Sequence, residues 1–346
     1  MTDKMRFAVL VKAGQAEVRE RMLPELKDHQ VLIKHEACNI CTTDYGQWMG
    51  LREHQPYPMA GGHECSGQII AKGSAVGDDL MPGDRVGIAY GYCGICDACK
   101  VGLTGECKQM SGAPTEDGYY GDFGFSDYYV RDAKSLVKMN PELSPGEAAF
   151  LEPLATVVKG LRKLRLSPME TVAIIGAGTM GLVNAQAARA YGARVIITEI
   201  MDKKIKTAEA MGFDVIRAHE EDPVQAVRKW SGGHGTDAVI IAVGATIAND
   251  QAIEMVKKWN GRVLLFAAGY PAPELRVDSN SIHYRKMELI GTYGADMADF
   301  MDSARLLNDK LVDVSLLIEK SYVLDDIQAA YETASTPGSY RVSVKL

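Results

Sequence analysis

The sequence predicts an α/β chain of two parts, a β-rich lobe followed by a doubly wound parallel sheet. Three observations carry that expectation. Short β-rich runs bounded by Gly, Pro and polar residues fill the first third of the chain. Strand and helix patterns alternate from Thr171 to about Gly294, and the closing RVSVKL reads as one further strand, returning to the β lobe. At 346 residues the chain exceeds what one hydrophobic core usually supports, so two domains are expected.

In the first part, MRFAVLVK, QVLIKHEA and GQIIAKG are the strand candidates. Between them, GHECSG at residues 61 to 66 sets His63 and Glu64 side by side among glycines with no helical or strand period, and reads as a sharply turning loop. At Ser144 the texture changes. Ser-Pro-Gly-Glu is a capping box with Pro at the first helical position, and AAFLEPLATVVKGLRKL follows at helical spacing. Pro153 interrupts that helix and should push Glu152 out of the α region, leaving its carboxylate at a break. Beyond it come VAIIGAG, a helix to Tyr191, RVIITE, a helix around KKIKTAEAM, VIRA, a helix to Trp230, then DAVIIAVG, RVLLFAAG and MELIGTYG. A helix, DMADFMDSARLL, precedes the tail.

Composition removes several classes. With 47% hydrophobic and 24% charged residues the chain is globular, and a net charge of −7 offers no basic footprint for nucleic acid. No signal-like or membrane-length apolar run is present, so a cytoplasmic location is expected. All seven cysteines crowd into residues 38 to 107, and in a reducing compartment clustered thiols more often hold metal than pair.

AIIGAGTMG places Gly176, Gly178 and Gly181 in G-x-G-x-x-G after a strand and at the mouth of a helix, with Thr179 and Met180 inside the motif. The glycines allow a tight turn, close approach to a pyrophosphate, and helix packed against strand; the pattern predicts a Rossmann dinucleotide site. Glu199 ends the next strand, where an acid accepts ribose hydroxyls and repels a 2′-phosphate, which favours NAD over NADP. A plain polar strand end is the weaker reading of Glu199, given strand, glycines and acid in register; Lys203 and Lys204 could attract a phosphate or lie on a helix surface.

Cys93, Cys96, Cys99 and Cys107 form C-x2-C-x2-C-x7-C, suited to one closed tetrahedral zinc that staples a loop. An iron–sulfur cluster or a disulfide pair are the rival readings; the longer last gap and Lys108 in place of proline weigh against the cluster. A catalytic zinc needs three protein ligands, and Cys41, His63 and Glu64 are candidates, with Glu152 as an extra or exchanging carboxylate. Taken alone, His63 reads as a structural histidine and Cys41 as a small buried hydrophobe. Cys38 and Cys65 read as inert buried thiols, and the other histidines as surface or hydrogen-bonding residues.

The stretches ICTTD, AGGHECSG, MPGDRVGI, YCGICDACKVGLTGEC, GFSDYYV, FLEPLATVVKG, VAIIGAGTMG and VIITE, in this order, resemble the zinc-dependent medium-chain dehydrogenase/reductase family, in its polyol (sorbitol-type) and threonine dehydrogenase branch. The resemblance implies a GroES-like catalytic domain over 1–152 with both zinc sites, a Rossmann NAD-binding domain over 153–294, and a segment, 295–346, returning to the first. It implies catalytic zinc on Cys41, His63 and either Glu64 or Glu152, structural zinc on the four clustered cysteines, and Lys204 beside the adenosine ribose. Glu152, where liver-type alcohol dehydrogenases have cysteine, leans towards polyols.

Two departures stand out. Relatives carry a histidine five residues after the ligand cysteine, and some relay the proton through it; here that position is Gly46. Thr43 keeps the hydroxyl, so it is the candidate first proton acceptor, with Tyr45 or water beyond. QWMGLREHQPYP matches no substrate signature, and Trp48 and Arg52 there could line a pocket or pack the loop.

The expected activity is hydride transfer between NAD and a secondary alcohol, most simply a polyol oxidised to a ketose. Alternatives are a threonine-type amino alcohol or sugar-phosphate dehydrogenase and, in another class, a nucleotide-sensing binding protein without turnover. The expected partner is a small alcohol or ketone, with no nucleic acid and no membrane, and analogy suggests a homodimer or homotetramer.

Overall fold

The structure is a computed structural model describing residues 4–109 and 112–346. The chain divides into two compact units, one of residues 1–155, 295–310 and 314–346, the other of 156–294 and 311–313.

In chain order the first unit begins with β1 (Lys4–Lys12), β2 (Gln15–Met22), β3 (Gln30–Asn39), α1 (Thr42–Trp48), β4 (Glu64–Lys72), β5 (Arg85–Ile88), α2 (Asp97–Lys100), β6 (Tyr128–Asp132), β7 (Leu136–Lys138) and α3 (Pro145–Ala148). Helix α4 (Leu151–Leu164) runs from the first unit's residues into the second's. The second unit holds β8 (Thr171–Ile175), α5 (Thr179–Ala190), β9 (Arg194–Glu199), α6 (Asp202–Ala210), β10 (Asp214–Arg217), α7 (Pro223–Trp230), β11 (Ala238–Ile241), α8 (Thr246–Met255), β12 (Arg262–Leu265), α9 (Ser279–Arg285) and β13 (Glu288–Gly291). The chain then re-enters the first unit as α10 (Met297–Asn308), β14 (Ile318–Val323), α11 (Ile327–Ala334) and β15 (Arg341–Lys345).

β3 is the hub of the first unit. It pairs antiparallel with β15, β4 and β6 in a sheet ordered β14-β15-β3-β4-β5-β7. Val31, Ile33, Ile69, Val86, Val342 and Val344 meet in one core beneath it, all fully buried. The register sets Asn39 at the end of β3 against Glu64 on one side and Ser343 on the other. Three strand ends therefore converge where the chain turns into α1.

The second unit is a six-stranded parallel sheet ordered β10-β9-β8-β11-β12-β13. Its strands are short apolar runs such as AVII over 238–241, buried throughout, as strands covered on both faces must be. The order reverses between β8 and β11, and a doubly wound sheet binds ligands at such a reversal, beyond the strand carboxyl ends.

Two local expectations need correction. GHECSG is not wholly a loop, because Glu64 opens β4 and only His63 and the residues before it lie outside the strand. The helix break also falls earlier than Pro153 suggests. The capping box at Ser144 forms, α3 ends at Ala148 with Ala149 as its C-cap, and α4 restarts at Leu151 with Glu152 and Pro153 in its first turn. Proline is tolerated there because a first-turn N–H has no partner within the helix. Among the described residues no helix is long and apolar enough to cross a membrane.

Candidate active site and metal centres

Cys41 is the N-cap of α1, placed two residues beyond the end of β3. His63 stands directly before β4, and Glu64 is that strand's first residue. Gly62 makes the approach possible: its φ of +89° lies in the left-handed region, and a Cβ there would meet the Cys38 sulfur and the Phe125 amide at 2.8 Å. The ligand atoms of Cys41, His63 and Glu64 all lie within 4.8 Å of one another. A thiolate, an imidazole and a carboxylate at that separation form a donor set suited to zinc, with a fourth position left for a substrate oxygen.

Asp44, in the first turn of α1 and almost fully buried, ties the two ligand segments together. One carboxylate oxygen accepts the Cys41 N–H at 3.0 Å, and the other accepts the Gly62 N–H at 3.2 Å and lies 3.8 Å from His63 Nδ1. Burial alone would lower the pKa of His63, but the negative charge of Asp44 and then of Cys41 outweighs it and drives the pKa well above the ordinary value.

Glu64 is fully buried and its charge is met by Arg341 at the start of β15. The guanidinium donates through Nε at 2.8 Å and Nη2 at 2.5 Å, a bidentate pair, and Nη2 is also 3.8 Å from the Cys41 sulfur. Glu152 stands outside the group of three. Its carboxylate accepts a hydrogen bond from the Tyr90 hydroxyl, and burial, with a contribution from Glu64, raises its pKa to about 7 against the pull of His63. Sequence reasoning missed Asp44, Tyr90 and Arg341; only the fit of Asp44 to an N3 capping position was visible in ICTTD. Thr43 is half-buried in the same turn of α1. Trp48 stacks on Tyr331 with ring centroids 6.2 Å apart, which is packing within the lobe.

The four clustered sulfurs, Cys93, Cys96, Cys99 and Cys107, also lie within 4.8 Å of one another, with Cys93 and Cys99 at 3.9 Å. Zn–S bonds of about 2.3 Å at tetrahedral angles set sulfurs about 3.8 Å apart, so the cage fits one ion. A four-iron cluster puts each thiolate on its own iron and needs a wider cage. Backbone N–H groups of Ile95 and Cys96 donate to the Cys93 sulfur, and that of Cys93 donates to the Cys107 sulfur, favouring thiolates. All seven cysteines are free of disulfides.

In the second unit, Gly178 is the N-cap of α5, and Thr179, Met180 and Gly181 form its first turn. A Cβ at Gly181 would fall 1.9 Å from the Gly176 carbonyl oxygen, so only glycine lets this helix pack on the loop. Glu199 ends β9 as expected, almost fully buried, and its carboxylate accepts the N–H groups of Ala177 at 2.7 Å, Ile200 at 2.7 Å and Met201 at 3.0 Å. Lys204 reaches back over the glycine loop, its Nζ 3.6 Å from where a Gly178 Cβ would lie.

A sheet of this topology with its glycine-rich turn, carried on the same chain as a sulfur, imidazole and carboxylate cluster, defines a metal-binding, dinucleotide-dependent oxidoreductase. The model for the alcohol dehydrogenase GroES-like domain matches residues 27–141, and that for the zinc-binding dehydrogenase matches 179–309. An alcohol dehydrogenase of Geobacillus stearothermophilus is 34% identical over 309 residues, 87% of this chain and 88% of that one. A sorbitol dehydrogenase of Halalkalibacterium halodurans is 29% identical over 338 residues, 95% of each chain. Among solved structures, a putative zinc-binding dehydrogenase from Sinorhizobium meliloti 1021 bound to NADP superposes with a TM-score of 0.89, at 26% identity and across the whole of both chains. The chain belongs to the zinc-dependent medium-chain dehydrogenase/reductase family.

Proposed function

We propose that the protein transfers a hydride between NAD and a secondary alcohol, oxidising a polyol or sugar alcohol to a ketose, with one catalytic and one structural zinc per chain. The observation that carries this reading is the convergence of Cys41, His63 and Glu64 within 4.8 Å. Zinc held there would supply Lewis acidity at the alcohol oxygen, and a bound nicotinamide would supply the hydride acceptor. Cys41, His63 and one carboxylate hold the ion; Glu64 is the nearer and Glu152 the second. Arg341 holds Glu64 in place, and Asp44 fixes both the thiolate and the imidazole segments. Thr43 takes the hydroxyl proton. Cys93, Cys96, Cys99 and Cys107 hold the second zinc.

Gly176, Gly178, Thr179, Met180 and Gly181 receive the pyrophosphate at the start of α5, and Glu199 with Lys204 flanks the adenosine ribose. The charge on Glu199, fixed by three backbone N–H groups, supports NAD over NADP. Seven free thiols, four of them gathered at one cage, fit a reducing, cytoplasmic compartment. A homodimer or homotetramer is favoured by β13, which among the described residues pairs only with β12, and by the well-exposed Tyr284 and Tyr293 flanking it. The domain limits are taken at 152/153 and 294/295.

Metal content with a substrate panel tests the reading. Purified protein should carry two zinc ions per chain and reduce NAD with polyols in preference to amino alcohols. Cys41→Ser should lose one zinc and all turnover while staying folded, whereas Cys93→Ser should destabilise the loop. One zinc per chain with an active Cys41→Ser variant overturns the assignment. NAD binding without turnover of any alcohol or ketone would mark a nucleotide-sensing protein instead.

A further inference from the structure

The loop after α1 is clamped onto that helix by Gln47, whose side chain is fully buried. Gln47 Oε1 accepts the N–H groups of His54 at 3.1 Å and Gln55 at 3.2 Å, Nε2 donates to the Gln55 carbonyl at 2.6 Å, and the Gln47 carbonyl accepts the Tyr57 hydroxyl at 2.8 Å. The clamp folds Arg52 back over α1. Its Cγ and Cδ lie 3.7 Å from where a Cβ at Gly46 would stand, so the arginine stem occupies the space above this glycine. The guanidinium Nη2 is 2.9 Å from His54 Nδ1. An arginine can only donate there, which leaves the His54 proton on Nε2. Arg52 and His54 thus lie on the loop that folds back over α1, the helix that Cys41 caps and that carries Asp44 in its first turn. Asp44 is already engaged with the N–H groups of Cys41 and Gly62.

A planar guanidinium fork and an imidazole N–H held at fixed spacing match the oxygens of a carboxylate or a phosphate. A neutral polyol offers no such group. We propose that Arg52, with His54, binds an anionic group at the end of the substrate remote from the reacting carbinol, so that the substrate is an anionic sugar alcohol: an aldonate or a polyol phosphate. This rests on the polyol reading above and narrows it.

The test compares three compounds of one carbon skeleton, a hexitol, its terminal phosphomonoester and the corresponding aldonate, with the zinc-loaded enzyme and NAD. Wild type should favour at least one anionic compound by about tenfold or more in kcat/KM, expressed in KM, as a charge-assisted hydrogen bond predicts. Which anion wins distinguishes phosphate from carboxylate. Arg52→Met keeps the stem over Gly46 and removes the fork; it should bring the anionic-to-neutral ratio to within about twofold of one, and Arg52→Lys should restore part of it. In a parallel thermal-shift titration without NAD, the preferred anionic compound should raise the wild-type Tm and fail to raise that of Arg52→Met.

Equal use of all three compounds by wild type, or one common loss on all three in Arg52→Met, overturns the anion subsite while the polyol reading stands. Failure to oxidise any secondary alcohol overturns both.

Discussion

Asp44 shows how a single buried carboxylate can assemble a site without joining it. Its two oxygens take backbone N–H groups from the Cys41 and Gly62 segments and face His63. Asp44→Asn places an amide donor against one of those N–H groups, so affinity at the Cys41 site should fall by roughly 10–100-fold. Chelator competition should register that loss with the four-cysteine site unchanged; equal affinity at both sites would remove Asp44 from this role. His35 is a second buried group with a measurable signature. It is fully buried, Nδ1 lies 2.9 Å from the Ser126 carbonyl, and burial with the nearby Arg131 charge lowers its pKa from 6.5 to about 3. Below pH 6.5 the unfolded chain takes up a proton that the native state refuses, so this contribution is intact above 6.5 and fades as pH falls towards 3. His35→Asn keeps a donor for Ser126 and does not titrate. Urea melts at several pH values should show wild type losing up to about 1.4 kcal/mol more per pH unit than the variant across that window.

At the scale of elements, α1 carries the most function in the fewest residues, and it contains a glycine with no conformational reason to be one. Gly46 is not in the left-handed region, and an added Cβ would meet only the Arg52 stem at 3.7 Å, an ordinary contact. Gly46→Ala should therefore stabilise the protein by about 0.5–1 kcal/mol, read as a rise in the denaturant midpoint. A fall would mean that the Arg52 stem cannot yield. The parts of the site that sequence made legible share one property, which is that their members are close in the chain. The glycines of 176–181 with Glu199, the four-cysteine cage and the neighbouring His63 and Glu64 are local spacings, and the βα alternation is a local period. Tyr90 and Arg341 were illegible because their partners lie 62 and 277 residues away, and Asp44 could be read only as a cap on Cys41, three residues before it, and not as the acceptor of the Gly62 N–H. Neither composition nor periodicity distinguishes an arginine that will meet a buried glutamate from one that will face water. Pro153 misled for a related reason: its effect depends on whether a helix is already running, and here one helix had stopped at Ala148 and another begun at Leu151.

Across the whole molecule, the last strand completes a site begun near residue 41. β15 lies between β14 and β3, with Val342 and Val344 fully buried, so the tail is interior sheet and not trim. Its first residue, Arg341, is buried against Glu64, and the negative charges of Glu64 and Cys41 raise its pKa against the effect of burial. Forming the pair desolvates both ions, so its net contribution to stability is small, but removing one partner leaves the other charged and buried. Arg341→Met should therefore cost about 3–5 kcal/mol in urea unfolding of metal-stripped protein. Arg341→Met combined with Glu64→Gln should recover much of that loss, because no buried charge then remains unpaired. If the double variant is as unstable as the sum of its parts, Arg341 supports the sheet by packing alone. If the double variant recovers, the coupling of β15 to the start of β4 is electrostatic, and the carboxylate beside Cys41 and His63 is held in place by an arginine that arrives only when the sheet is complete.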